Sequence, residues 1–488
     1  MKVSPAAVRL SRRRLLSKGA LALCATVVPA RLGAQSVSPV MAALSEYMAG
    51  ARDRALPADV VEKAKHHILD TFAAMVSGSR LPPGMAALKL ARGTMGRPVS
   101  SVLGSDLRTA PIDAALTNGV LAHSDETDDS HEGSQSHPGA SIVPAALAMA
   151  EDVAAGGDHL LRAVTLGYDV GPRVTMALGG PAFRNETRRS THALAGTFGS
   201  AAAAGCVAGL DARQMRWLLD YASQQAGGYA VWARDSDHIE KAFVFGGMPA
   251  RNGVTAAVLV RSGWNGVDDV FSGVDNFFAV NAPRGTVAMV ADGLGERFEI
   301  ANTDIKKWTV GTPIQAPLDA LENLRTKRPF EAGEVSRVVV RLAPTVGSVV
   351  DNRDIPDICL QHMMAVMLID KTASFHAAHD KGRMQDPSVR RERAKVTYVP
   401  DDALVRLLPA RVAVVELTLT DGTTLVERVE AVRGTVRNPM PRAEVVAKAM
   451  DLMVPVLGRG RADTLVQRIL ALEAVRDVRT LRPLFQPA

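Results

Sequence analysis

Aromatic residues make up only 4% of the 488-residue chain. A core poor in large rings and rich in alanine favours helices packed at close range. Cysteine is almost absent: of three, Cys24 lies in an N-terminal leader, and Cys206 and Cys359 sit in apolar settings. No CxxC pair of the zinc-binding kind occurs, and sequence leaves open whether Cys206 and Cys359 pair. There is no GxSxG elbow and no P-loop. Gly293-Leu294-Gly295 fails as a dinucleotide fingerprint because Phe298 stands where glycine is needed. A calcium loop starting at Asp125 would need glycine at Ser130 and glutamate at Ser136. No internal repeat or long low-complexity linker is present.

An excess of positive charge is also missing once the leader is set aside. Residues 1–34 read as a twin-arginine-type signal peptide: Arg12-Arg13-Arg14-Leu15-Leu16, a short apolar run from Gly19 to Pro29, and small residues up to Ala34. Removing its seven positives leaves 50 basic residues against 51 acidic ones. The whole-chain excess of cations therefore gives no argument for nucleic acid. The expected location is the periplasm, with no stable membrane anchor.

The remainder, about 450 residues, is long enough for two domains. Val60, Val61, Ala64, Ile68, Leu69, Phe72 and Val76 recur at helical spacing. Ile142–Val153 and the small-residue run Gly196–Gly209 read as buried helices. Asp211 caps another, with Met215, Leu218, Leu219 and Ala222 on one face. The periodicity changes near Ile305. Ser336–Pro344 is strand-like, and Val412–Val432 alternates on both sides of Asp421-Gly422, a hairpin signal. Leu360–Ile369 is a helix whose methionine-rich face suits a core, and helices return after Pro441. The expected architecture is mainly α. Residues 37–302 with 440–488 form a helical domain, and 303–438 form a smaller α+β lid.

The chemistry concentrates in one stretch, His123 to Ala148 (HSDETDDSHEGSQSHPGASIVPAALA). Of its first fifteen residues all but Gly133 carry a side chain able to hydrogen-bond or exchange a proton. Burying such a patch is costly unless each group finds a partner. It reads either as a solvated loop or as an active-site loop. In the second reading His137 is acid or base, and Glu126, Asp128 and Asp129 set its pKa and orientation. The residues leave open a metal held by His131, His137 and the acids, at no standard spacing. Four more clusters supply cations: Arg184–His192; His238, Lys241 and Arg251 around a Gly-Gly step; Lys306-Lys307 at the junction; and Arg353 with His362. Histidines and lysines without a nucleophile suit a small polycarboxylate.

Several blocks in order resemble the MmgE/PrpD family, which includes 2-methylcitrate dehydratase, cis-aconitate decarboxylase and iminodisuccinate epimerase. They are NGVLAHSDETDDSHEGSQSHPGASIVPAALAMAE, GTFGSAAAAGCVAGLDARQM, HIEKAFVFGGMPARNGVTAAVLVRSGW and KKWTVGTPIQAPLDAL. The resemblance implies a helical domain with an α+β lid, a homodimer, a cleft site between the two, and catalysis with no metal or cofactor. It assigns His137 as the central histidine, Glu126 and Ser130 as its acid and hydroxyl, and Lys241 and Lys306 as its lysines. His192, Lys307, Arg251 and His362 are then the expected substrate-binding residues, with His192 and His362 as candidate proton donors. Three positions depart from the pattern: family histidines fall on Ser190 and Gly311, and a frequent tyrosine on His362. The implied reaction is proton abstraction beside a carboxylate. Dehydration of a 2-methylcitrate-like substrate leads, with epimerisation, decarboxylation or carboxylate binding without turnover as alternatives.

Overall fold

The computed structural model describes residues 37–488 except Met95 and Pro283, so the leader lies outside the described residues. The chain is mainly helical. Its first long helices are α1 (Pro39–Gly50), α2 (Ala58–Gly78), α3 (Pro82–Gly93), α4 (Pro111–Ala122), α5 (Gly139–Val153), α6 (Gly157–Leu178), α7 (Gly180–Thr187), α8 (Thr191–Ala208) and α9 (Ala212–Gln225). A two-stranded ribbon, β1 (Ser100–Ser101) with β2 (Arg108–Thr109), precedes α4. Helix α10 (Ile239–Arg261) carries a π-turn at Phe243–Gly247.

Helix α8 is the hub, packed against α5, α6 and α10. Its glycines and alanines permit this. A β-carbon on Gly199 would lie 2.7 Å from the Gly167 carbonyl oxygen of α6 and 2.6 Å from Ile142 Cδ1 of α5, so only glycine lets these three helices approach so closely. Ser190 caps α8 by accepting from the Ala193 N–H. Asp211 closes a capping box with Gln214 at the start of α9, and Met215, Leu218, Leu219 and Ala222 are buried. The C-terminal helices α13 (Arg442–Leu457) and α14 (Arg459–Leu470) pack on α2, and one apolar core runs from Met41 to Ile305 and again from Met440 to Phe485.

A second core spans Trp308 to Val429. It holds helices α11 (Thr312–Lys327) and α12 (Leu360–Asp370) against a four-stranded sheet. The strands are β3 (Val335–Leu342), β4 (Val396–Pro400), β5 (Ala413–Leu419) and β6 (Thr424–Val429), in the order β4-β3-β5-β6. Strands β5 and β6 are antiparallel and turn at Asp421-Gly422, where Gly422 takes φ 86°, the left-handed conformation glycine adopts at little cost. Strand β4 pairs parallel with β3. Met363, Met364 and Met367 of α12 are fully buried in this core. Cys206 and Cys359 are both buried free thiols.

Candidate active site

The acidic stretch links α4 to α5 and is held from beneath. Asp129 points inward: it accepts from the Gly139 N–H at 2.9 Å and the Tyr168 hydroxyl at 2.6 Å, and meets His67 Nδ1 at 2.8 Å. Gly139 must be glycine there, because a β-carbon would come within 2.7 Å of both Thr71 Oγ1 and the Tyr168 hydroxyl. Lys448 of α13 donates to the Thr127 carbonyl at 2.8 Å and pairs with Asp70 at 2.6 Å. Asp129 therefore anchors the start of α5 and forms no hydrogen bond or ion pair with His137. His131 turns the same way, to Ser134 at 2.9 Å and Glu299 at 3.4 Å.

The other acids face the opposite side. Asp128 is fully buried between two histidines and a lysine. Its Oδ2 accepts from His123 Nδ1 at 2.8 Å, its Oδ1 lies 3.2 Å from His137 Nδ1, and Lys306 Nζ stands 3.7 Å from Oδ1. The His137 contact is close enough for an ion pair but off the hydrogen-bond direction. Lys306 also donates to the Glu126 carbonyl at 2.7 Å, and the Glu126 carboxylate pairs with Lys241. Burial alone would raise both carboxyls. The surrounding cations outweigh it, with Lys241 foremost for Glu126 and the two histidines and Lys306 for Asp128, and hold both well below the usual carboxylate range.

The π-turn of α10 delivers the apolar partner. Gly246 and Gly119 of α4 touch backbone to backbone, since a β-carbon on Gly246 would overlap the Gly119 carbonyl at 1.9 Å. This contact seats Phe245 among three histidines, His123, His137 and His192. His192 stacks on it with centroids 3.7 Å apart and His123 at 4.5 Å. His137 lies 5.0 Å from His123 and 5.2 Å from His192, and His238 lies 5.1 Å from His123. Burial, reinforced by neighbouring cationic groups, depresses His192 well below the ordinary histidine value and His238 to about 3, so both are neutral at pH 7. The His137 side chain keeps 11% of its exposure.

The structure thus brings His137, Glu126, Lys241, Lys306 and His192 into one cluster. Ser130 bridges Asp304 through its backbone. Three other candidates lie elsewhere. Lys307 turns outward to Glu322 and over the Trp308 ring. Arg251 bonds to the Asn252 side chain at 3.0 Å. His362 is buried in the smaller unit, where the charges acting on it are Arg393, Arg383 and Asp380, and burial lowers its pKa to about 4.

Two groups that sequence did not single out reach the cluster from the smaller unit. His379 Nε2 meets Asp125 Oδ2 at 3.0 Å. Burial opposes its charge, but Asp125 and Asp357 push its pKa up to about 9. Asp357, on the turn Pro356–Ile358, is 6% exposed. No sequence signal marks either, since their place depends on how the two units dock. His123, Asp128 and His137 could converge on a metal, with ligand atoms within 4.8 Å of one another. A divalent ion there would displace the His123 N–H from Asp128 and face the Lys306 ammonium on the same carboxylate. The donors suit each other better than they suit a cation.

Residues 42–288 match the MmgE/PrpD N-terminal domain and residues 308–473 the MmgE/PrpD C-terminal domain. Among curated relatives, the cis-aconitate decarboxylase of Aspergillus terreus is 26% identical over 459 residues, covering 87% of this chain and 91% of that protein. The human cis-aconitate decarboxylase is 26% identical over 452 residues, covering 88% and 90%. The cis-aconitate decarboxylase-like protein oryM of Aspergillus oryzae is 28% identical over 329 residues, covering 63% and 67%.

Proposed function

The chain belongs to the MmgE/PrpD family, and from that premise we propose that it is a lyase acting on a small di- or tricarboxylate through a carbanion formed beside a carboxylate. The observation that carries this reading is the convergence of Lys241 and Lys306 on the loop that holds His137. The lysines bind substrate carboxylates, Lys241 releasing Glu126 to do so. Buried ammonium groups stabilise the charge that develops on the carboxylate as the carbanion forms. The smaller unit acts as a lid that keeps water out. Export through the leader and assembly into a homodimer belong to the same proposal; a processed N-terminus in a periplasmic fraction and the mass of the native particle test them.

Dehydration is the leading branch. His137 takes the proton from carbon, the carbon–oxygen bond breaks with its electron pair on oxygen, and the departing hydroxyl takes a proton to leave as water. Decarboxylation is the second branch, favoured by the names of the curated relatives. There the bond to CO2 breaks, and the carbon left with the electron pair takes the proton. In dehydration His137 is the base that takes the proton from carbon; decarboxylation needs no such base.

The test is a panel of carboxylic acids incubated in D2O and followed by NMR. A new vinyl signal without CO2 release indicates dehydration. CO2 with deuterium at one carbon indicates decarboxylation, and deuterium with inversion indicates epimerisation. Saturable binding with none of these, for that same ligand, makes the protein a carboxylate-binding protein and ends the lyase reading. For dehydration, His137→Ala is expected to abolish turnover and leave the fold intact.

A further inference from the structure

Both lyase branches need a group that starts protonated, and the histidines proposed for that task from sequence are badly placed or badly charged for it. His192 is neutral, and His362 lies in the core of the smaller unit. One buried titratable group next to the cluster has no assigned role. We propose that Asp357 is the proton donor of the reaction, delivered to the substrate by the lid.

The geometry is as follows. Asp357 sits on a one-turn 3-10 segment, Pro356–Ile358. Its carbonyl accepts from the Gly311 N–H at 2.9 Å, and the Cys359 N–H closes the turn onto the Pro356 carbonyl at 3.0 Å. The turn is thereby fixed to the segment that carries Lys306. The short helix Phe375–His379 packs on it from another side. The charged groups acting on the carboxyl are His379 from that helix, Asp125 and Glu126 from the acidic loop, and Lys241 from α10. His238 lies behind them, 3.9 Å from Glu126. The cations here are already taken: His379 by Asp125 and Lys241 by Glu126. What reaches Asp357 is burial, plus the repulsion of two carboxylates against partial relief from His379 and Lys241. Its pKa rises to about 7. A carboxylic acid that keeps its proton near neutral pH, beside a base held in another environment, is the pairing acid–base chemistry requires.

In dehydration the Asp357 proton goes to the departing hydroxyl and makes water, while His137 holds the proton from carbon; solvent restores both after product leaves. In decarboxylation the same proton goes to the carbon from which CO2 has departed, and solvent replaces it. The inference rests on the lyase reading.

Asp357→Asn keeps the shape and removes the proton. With a panel acid that the wild type turns over, kcat is expected to fall by about 10²–10⁴-fold with KM changed only a few-fold. The decline in rate as pH rises through the Asp357 titration is expected to vanish with it. An unaltered kcat, or an alkaline limb that survives in the variant, overturns the assignment. A second measurement needs no substrate: the infrared difference between wild type and Asp357→Asn, titrated from pH 5 to 9. A protonated-carboxyl band present at acid pH and lost with a midpoint near 7 supports the proposal. No such band at pH 6 overturns it even if the enzyme is active. If no panel acid reacts, the lyase reading and the donor role fall together, whatever the band shows.

Discussion

Asp128 and Asp357 are two carboxyls buried to nearly the same degree, one on each side of the boundary between the units, and their proton affinities are pushed in opposite directions. Asp128 is 0% exposed and sits well below the ordinary range; Asp357 is 6% exposed and is raised to about 7. Burial raises both, so the difference lies in the neighbours. Asp128 is flanked by two histidines and Lys306, whereas the cations near Asp357 are already paired with other acids. Asp70 makes the point sharper. It has one lysine at 2.6 Å, yet burial and the nearby Asp129 still leave its pKa raised. At Asp70 a single lysine does not offset full burial. The cluster thus holds Glu126 and Asp128 as anions while Asp357 beside them is raised.

The largest expected effect comes from removing the anion. Asp128→Asn leaves His123 facing an amide and His137 without the carboxylate that orients it. We expect kcat to drop by about 10²–10⁴-fold with the helical content unchanged, measured by steady-state rates and circular dichroism. A variant with wild-type turnover would remove Asp128 from the base side and dissolve the contrast with Asp357.

A smaller effect sharpens the contrast through pH. The Asp125–His379 pair is the contact that makes a lid cation unavailable to Asp357. His379 is raised to about 9 when the units are docked, against about 6.5 for a free histidine. A raised histidine stabilises the docked state in full below the free value, and that stabilisation is lost as pH rises through the docked value. The loss therefore runs from about pH 6.5 to 9 and amounts to about 3 kcal/mol at most. The protection factors of residues 375–379, with the base-catalysed rise of intrinsic exchange divided out, are expected to fall across that range in the wild type and to be low and nearly flat in Asp125→Asn. Equal protection in both at pH 6 would show that the pair does not hold the lid.

Much of the scaffold could be read from local rules. The Asp211 cap, the alternation around Asp421-Gly422 and the methionine face of α12 are each set by residues a few positions apart. Strand β4 escaped because its partner β3 lies far back in the chain and the pairing is parallel, with no turn to announce it. At the site, His137, Glu126, Lys241 and Lys306 stand out as polar residues inside apolar blocks. The sequence does not say which way neighbours point. Asp128 turns to the histidines and Asp129 to Tyr168, one residue apart. His362 and His379 look equally available, yet helix α12 buries the first in its own core and the short helix after it carries the second to Asp125.

The smallest expected effect concerns another pair of neighbours, Lys306 and Lys307. Lys306 is 3% exposed at its side chain and reaches Asp128 and the Glu126 carbonyl; Lys307 is 20% exposed and pairs with Glu322, itself 40% exposed. If charge near the cleft were enough, the two would matter alike. If the count of cations on one buried carboxylate decides, only Lys306 matters. An ion pair this open to solvent contributes about 0–1 kcal/mol to stability. Lys307→Ala is therefore expected to shift the urea midpoint within that limit and to change kcat/KM by less than about twofold. A large rise in KM would mean that Lys307 swings from Glu322 onto the substrate when the lid closes. Lys307 would then have to be counted with Lys241 and Lys306 among the groups that bind carboxylates.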